Sequence, residues 1–220
     1  MNNIRYGVRR AIVQLLAVIG VIFATPALAA DKLVVAFGDS LSAGYALKPG
    51  EGFAPRLEAS LRAAKIPARV HNAGVSGDTS AAGRARLNWV LTALKVKPDL
   101  VIVELGGNDM LRGIAPAQTR ANIDAIVTEL KRRKIRVVIA GMLASPNMGP
   151  TYARDFNSLY PALARKHGVP LYPFFMRGVA GNRSLIIADG IHPNPRGINI
   201  IVGGILPTIK SALASAVLAR

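Results

Sequence analysis

Leu33-Val34-Val35-Ala36-Phe37-Gly38-Asp39-Ser40-Leu41-Ser42 is the stretch on which the fold turns. Its first five residues are apolar without alternation, which is what a parallel strand covered on both faces requires. Gly38 lacks the Cβ that would hinder a sharp exit from that strand. Open α/β sheets bind their ligands outside the carboxyl ends of their strands, and Ser40 stands at such an end. A serine there serves equally well as a helix N-cap. Whether it is a nucleophile depends on finding it partners.

Working outward, the chain alternates strand and helix signals with no repeat and no low-complexity linker. That alternation predicts a parallel sheet with helices on both faces. Phe53, Leu57 and Leu61 recur at helical spacing in a segment ending near Lys65, followed by a short strand from Ala68 to Asn72. A helix is expected from Thr79 to Leu94, capped by Asp78 or Thr79. Leu100 to Leu105 is the most apolar strand, with Glu104 as its one discordant residue. Pro116 opens a helix with Ile123, Ile126, Val127 and Leu130 on one face. A strand from Val137 to Leu143 and a helix from Thr151 to His167, stopped by Gly168, come next. After a short strand near Leu171 and an irregular stretch from Phe174 to Gly190, a last helix begins near Pro195. Its apolar set, Ile198, Ile201, Val202, Ile205 and Ile209, implies docking on the sheet.

Ahead of this domain, which runs from 30 to 220, Met1 to Ala29 has the form of a secretory signal peptide. It has a basic start (Arg5, Arg9, Arg10), an apolar run from Ala11 to Phe23 and a small-x-small end at Ala27-Leu28-Ala29. The apolar run is short of the roughly 18 residues a membrane span needs. The chain is therefore expected to be exported, to the periplasm or beyond, and to act as a monomer. It contains no cysteine, which excludes disulfides, thiolate metal ligands and lipoprotein acylation. Its 220 residues, 51% of them hydrophobic, suffice for one sizeable core.

The net charge is +16, or +13 without the three arginines of the leader. Such a balance favours anionic surfaces, and transient contact with an anionic membrane is expected. Nucleic acid is not expected as a partner. The densest basic run, Lys131-Arg132-Arg133-Lys134, falls at a helix C-terminus, where cations complement the helix dipole. No aromatic residues interleave with it to stack on bases.

The chemistry lies in the loops at the carboxyl ends of the strands. After the second strand comes Asn72-Ala73-Gly74-Val75-Ser76-Gly77-Asp78, after the third Gly106-Gly107-Asn108-Asp109, and near the end Asp189-Gly190-Ile191-His192. Of the three histidines, only His192 has a carboxylate three residues upstream in a tight glycine-containing turn. Asp189 can there meet one ring nitrogen while the other faces outward, a base with its orienter. His167 reads as part of a helix C-terminus, and His71 as a packing or supporting residue at a strand end. The N–H groups of Ser40 and Gly74 and the side-chain amide of Asn108 form a three-donor oxyanion hole in this reading. Asp39, Asp78 and Asp109 read as turn and cap acceptors. For an acyl chain, the segments Leu111 to Pro116 and Leu143 to Met148 offer apolar candidates, Leu111, Pro146 and Met148 among them. A phosphate-binding module using the glycine-rich turns is the non-enzymatic alternative, but it leaves the Asp189 and His192 pairing without purpose.

These blocks, Gly38-Asp39-Ser40-Leu41-Ser42, Gly74, Gly106-Gly107-Asn108-Asp109 and Asp189-Gly190-Ile191-His192, resemble in order those of the SGNH (GDSL-type) hydrolases. The resemblance is strongest to the branch of multifunctional periplasmic thioesterases, arylesterases and lysophospholipases. It implies a three-layer αβα sandwich with a parallel five-stranded sheet, flavodoxin-like, and a serine hydrolase with Ser40 as nucleophile, His192 as base and Asp189 as orienter. It implies an acyl ester or thioester as substrate, and neither metal nor cofactor. The serine lies outside a G-x-S-x-G elbow, since Ser42 stands where that motif has glycine. A carbohydrate or peptidoglycan O-acetyl esterase would use the same site with a smaller acyl pocket.

Overall fold

The computed structural model describes residues 31–214; the expected leader, Met1 to Ala29, lies outside them. Five parallel strands, β1 (Lys32–Gly38), β2 (Ala68–Gly74), β3 (Leu100–Glu104), β4 (Arg136–Ala140) and β5 (Leu171–Tyr172), form one sheet in the order β2-β1-β3-β4-β5. Helices α2 (Phe53–Ala63) and α7 (Pro195–Ala214) pack together in one layer. Helices α3 (Ser80–Ala93), α5 (Pro116–Arg132) and α6 (Pro150–His167) form the other. Two short helices, α1 (Ser40–Ala43) and α4 (Gly107–Leu111), directly follow β1 and β3. This is the αβα sandwich expected from the alternation.

The unalternating run of β1 is covered on both faces, with Val34 to Phe37 at most 1% exposed. All five residues of β3 are buried as well. The predicted helical faces are the buried ones: Ile123, Ile126, Val127 and Leu130 on α5, and Ile198, Ile201, Val202, Ile205 and Ile209 on α7. Helix α7 is long and apolar enough to span a membrane by composition, with mean hydropathy 1.5. Here its apolar stripe lies against the sheet. Asn194 caps it, accepting from the N–H groups of Arg196 and Gly197 at 3.0 and 3.1 Å. Pro195 thus occupies the first helical position, where its missing N–H costs nothing.

Two strand boundaries differ from the sequence reading for a reason of pairing, and one turn is replaced by a helix. Strand β2 runs two residues further, to Gly74, because β1 continues to pair with it up to Gly38↔Gly74. Strand β4 stops at Ala140 rather than Leu143, because β5 offers only two residues; Gly141 then bonds both ways with the chain around Tyr172 and Phe175. Gly107 to Leu111 is a short helix in place of the expected turn. His71, expected to pack, is instead exposed on the edge strand β2. His167 does end α6, but it is buried, with Nε2 2.6 Å from Asp124 Oδ1.

Gly38 pairs with Gly74 on one side and Glu104 on the other, so β1, β2 and β3 end level. Strand order reverses between β1 and β3, since β2 lies to one side of β1 and β3 to β5 to the other. Loops leave that point in opposite directions and open a crevice. The segments after β1 and β3 carry Ser40 and Asn108 into it.

Candidate active site

Ser40 is the first residue of α1, and Asp39 caps that helix by accepting from the Leu41 N–H at 3.0 Å. The two-residue passage from strand to helix holds the serine side chain at the crevice, half-buried. His192 reaches it from the far end of the chain: Nε2 lies 2.8 Å from Ser40 Oγ. On the other side of the ring, Nδ1 lies 2.6 Å from Asp189 Oδ2. A carboxylate only accepts, so Nδ1 carries the proton and Nε2 is left as the acceptor of the serine O–H. The turn from Asp189 to His192 is closed by Asp189 Oδ1, which accepts from the N–H groups of Ile191 and His192 at 2.9 and 3.0 Å. Burial opposes ionisation of Asp189, but those two N–H groups and the imidazole outweigh it and bring its pKa down to about 2. Tyr45 lies over the imidazole, with ring centroids 4.5 Å apart.

The donors for a developing oxyanion are arranged differently from the sequence reading. Gly74 belongs to the end of β2, and its N–H donates to Asn72 Oδ1 at 2.9 Å, while Asn72 Nδ2 donates to Ala43 O. A Cβ at Gly74 would strike the Ala43 and Asp39 backbone, so this glycine answers to close packing of α1 on β2. Gly77, three residues on, lines the same cavity as Ser40, Asn108 and His192. It has φ +86°, a conformation that favours glycine, and its N–H has no partner among the described residues. Its carbonyl is held by Arg112 Nη2 at 2.9 Å.

Asn108 does reach the cavity, and its amide is held from both sides: Nδ2 donates to Asp39 Oδ2 at 3.1 Å and to Asp78 O at 3.0 Å. Arg86 ties the two loops from beneath. Its Nη2 donates to Gly38 O at 2.9 Å, its Nε meets Asp78 Oδ2 at 2.5 Å, and the guanidinium lies 4.3 Å from the centre of the Phe37 ring. Asp78 is therefore an ion-pair partner and not a cap, the cap of α3 being Thr79. Asp109 is buried, accepting from Ser80 N and Oγ at 2.7 and 2.5 Å and from Thr119 Oγ1 at 3.0 Å; it anchors α3 against α5.

Glu104 is wholly buried under the nucleophile turn, where its Oε2 accepts from Ser42 Oγ at 2.8 Å. Burial first, and then the nearby Asp39 charge, push its pKa well above the ordinary carboxylate value. Burial likewise raises Asp39, against the pull of Leu41 N–H and the Asn108 amide, to about 6. An acid whose pKa is higher folded than unfolded opposes folding above its folded pKa, and this opposition fades as pH falls through it toward the unfolded value. Asp39→Asn removes that charge while keeping an oxygen for Leu41. Its melting temperature relative to the parent should therefore be more favourable at pH 7 than at pH 4.5, by on the order of 5 °C. Thermal melts of both proteins at the two pH values check this; a constant difference would mean that Asp39 keeps its ordinary pKa.

The cavity has a volume of about 320 Å³. Leu111 lines it, as expected, but Pro146 and Met148 do not: Pro146 is exposed, and Met148 packs back on the core from a 3₁₀ turn, Pro146–Met148. Met110 after β3, Met142 after β4, Met176 after β5 and Ile191 from the histidine turn supply the apolar wall instead. They stand in four separate segments, Met110 within the short helix α4 and the others in loops, so no local pattern marks them; methionine's unbranched, adaptable side chain suits such a wall.

The sequence profile of the GDSL-like lipase/acylhydrolase family matches residues 36–199 of this chain. The esterase TesA of Pseudomonas aeruginosa is 39% identical over 185 residues, covering 84% of this chain and 91% of that protein. Thioesterase 1/protease 1/lysophospholipase L1 of Escherichia coli strain K12 is 39% identical over 168 residues, covering 76% of this chain and 78% of that protein. Among solved structures, AlinE4, an SGNH-hydrolase family esterase, superposes with TM-score 0.73 and 47% identity over 85% of this chain and 99% of that one.

Proposed function

This chain belongs to the GDSL-like lipase/acylhydrolase family and is a carboxylic ester hydrolase, and from that premise we propose that it cleaves acyl esters and thioesters through an acyl-enzyme on Ser40. The observation that carries the reading is the unbroken chain Ser40 Oγ, His192, Asp189, with contacts of 2.8 and 2.6 Å. Ser40 Oγ attacks the acyl carbonyl carbon as its proton passes to His192 Nε2. The resulting imidazolium is stabilised by the Asp189 carboxylate. Collapse of the tetrahedral intermediate breaks the bond to the alcohol or thiol, which leaves with the proton from Nε2. Water then attacks the acyl-enzyme with His192 again as base, releasing the acid and restoring the serine. Export through the leader is part of the same proposal; the N-terminal sequence of secreted protein, expected to begin at Ala30, tests it.

In this mechanism the oxyanion takes the N–H groups of Ser40 and Gly77 and one hydrogen of the Asn108 amide. Asn108 then exchanges one of its two resting partners for the substrate oxygen, while the other keeps it aligned. One such donor is worth about 10²–10³ in kcat, so Asn108→Ala should lose that much with KM nearly unchanged. A loss carried by KM alone would make Asn108 a binding group for the ground state.

The apolar wall favours medium to long acyl chains. Each buried methylene contributes about 0.8 kcal/mol, or up to about fourfold in kcat/KM. Hydrolysis of p-nitrophenyl acetate through octanoate should therefore rise with chain length. Leu111→Asp should cut octanoate hydrolysis about tenfold or more and leave acetate nearly unchanged. A profile falling steadily from acetate would favour the O-acetyl esterase alternative.

A further inference from the structure

Eight large hydrophobic side chains are exposed among the described residues, and five of them, Tyr45, Val75, Leu111, Leu143 and Ile191, either line the cavity or directly adjoin in the chain a residue that does, Val75 beside Ser76 and Leu143 beside Met142. Tyr45, Leu111 and Ile191 line the cavity. Val75 and Leu143 do not, yet each lies beyond the carboxyl end of a strand, β2 and β4, on that same end of the sheet. The acyl-binding wall therefore accounts for three of the five and leaves a rim of two. Val75 is 45% and Leu143 41% exposed. Exposed apolar side chains gathered at one end of a sheet mark a docking face.

The charge around the mouth says what it docks on. Two of the apolar lining residues are each followed by an exposed arginine, Leu111 by Arg112 and Met176 by Arg177, and a third exposed arginine, Arg183, lies between Met176 and the histidine turn. None of these three arginines forms an ion pair with a carboxylate among the described residues. An apolar rim beside arginines that make no ion pair, on a chain of net charge +16, complements a surface with apolar depth and anionic head groups.

We propose that the mouth of the cavity docks on an anionic lipid surface and draws its acyl substrate directly from it. The proposal rests on the hydrolase reading of Ser40 and adds where the substrate is presented. Val75 and Leu143 enter the interfacial layer, Arg112, Arg177 and Arg183 lie at head-group level, and the acyl chain passes into the methionine-lined wall without crossing water.

The test compares the full chain with its Val75→Asp/Leu143→Asp double variant, so that whatever residues 1–30 contribute is common to both. Cosedimentation uses vesicles of phosphatidylcholine alone and of phosphatidylcholine with about one-third phosphatidylglycerol. The parent should partition onto the anionic vesicles about tenfold or more better than onto the neutral ones, and the variant should lose most of that partition. Hydrolysis of soluble p-nitrophenyl acetate should be equal for the two proteins, which controls for folding. Hydrolysis of a long-chain ester embedded in the anionic vesicles should fall with partition. Equal partition of parent and variant, or no preference for the anionic vesicles, would overturn the docking proposal while leaving the esterase intact. Failure of the parent to hydrolyse even the soluble ester would instead overturn the hydrolase reading on which it rests.

Discussion

Ser40→Ala is expected to lower kcat for ester hydrolysis by about 10⁶, leaving only the residual acceleration that oxyanion donors and binding provide without a nucleophile. The fold should be untouched. The side chain's one hydrogen bond among the described residues is to His192, and Asp39, not Ser40, caps the helix. Circular dichroism and melting temperature should match the parent, so the loss cannot be assigned to unfolding. Ser42, two residues on, cannot stand in: it is buried, and its hydroxyl is committed to Glu104. A Ser40→Ala protein that kept more than a few per cent of its activity would move the nucleophile elsewhere.

Asp189→Asn should lower kcat by about 10⁴, and the reason lies in which imidazole nitrogen carries the proton. An asparagine can keep its side-chain oxygen on the Ile191 and His192 N–H groups, so the turn survives. Its NH₂ then faces Nδ1, which must become an acceptor and leave the proton on Nε2. That nitrogen can no longer take the proton from Ser40. The parent's Asp189, with a pKa of about 2, stays ionised across the range in which the enzyme works, so its own titration does not shape the acid side of the activity profile. A fall of tenfold or less in Asp189→Asn would mean that Asp189 acts only in holding the turn.

Much of this site is legible in the sequence because it depends on strand ends. An apolar run that stops at Gly38-Asp39-Ser40 fixes the nucleophile's place, and a carboxylate three residues before a histidine across a glycine fixes the other two. The oxyanion loop is harder to place. Gly74 and Gly77 stand three residues apart in one turn, and which one faces the crevice depends on how far β2 stays paired. Pairing to Gly74 carries that glycine into the sheet, under α1, and leaves Gly77 at the surface. Length of pairing is a property of the neighbouring strand, and the segment itself does not reveal it.

The acyl wall shows the same limit in another form. Pro146 and Met148 stand out in the sequence as apolar residues in a loop, but the loop folds back and Met148, half-buried, packs against the core. Met110, Met142 and Met176 come from a short helix and two loops whose sequences say nothing of one another. Only the level ends of the strands bring them together. Arg86 is a further case: from the middle of α3 it reaches both Gly38 O and the Asp78 carboxylate, and nothing in its helix predicts that span.

The central claim, that Ser40 is a nucleophile activated by His192, is met most directly by covalent trapping. The protein is incubated with a fluorophosphonate and its intact mass and proteolytic peptides are measured. A single phosphonyl adduct on the Ser40 side chain, absent from Ser40→Ala and much slowed in Asp189→Asn, is the predicted result. An adduct on another residue, or none in protein that hydrolyses p-nitrophenyl esters at full rate, would contradict it.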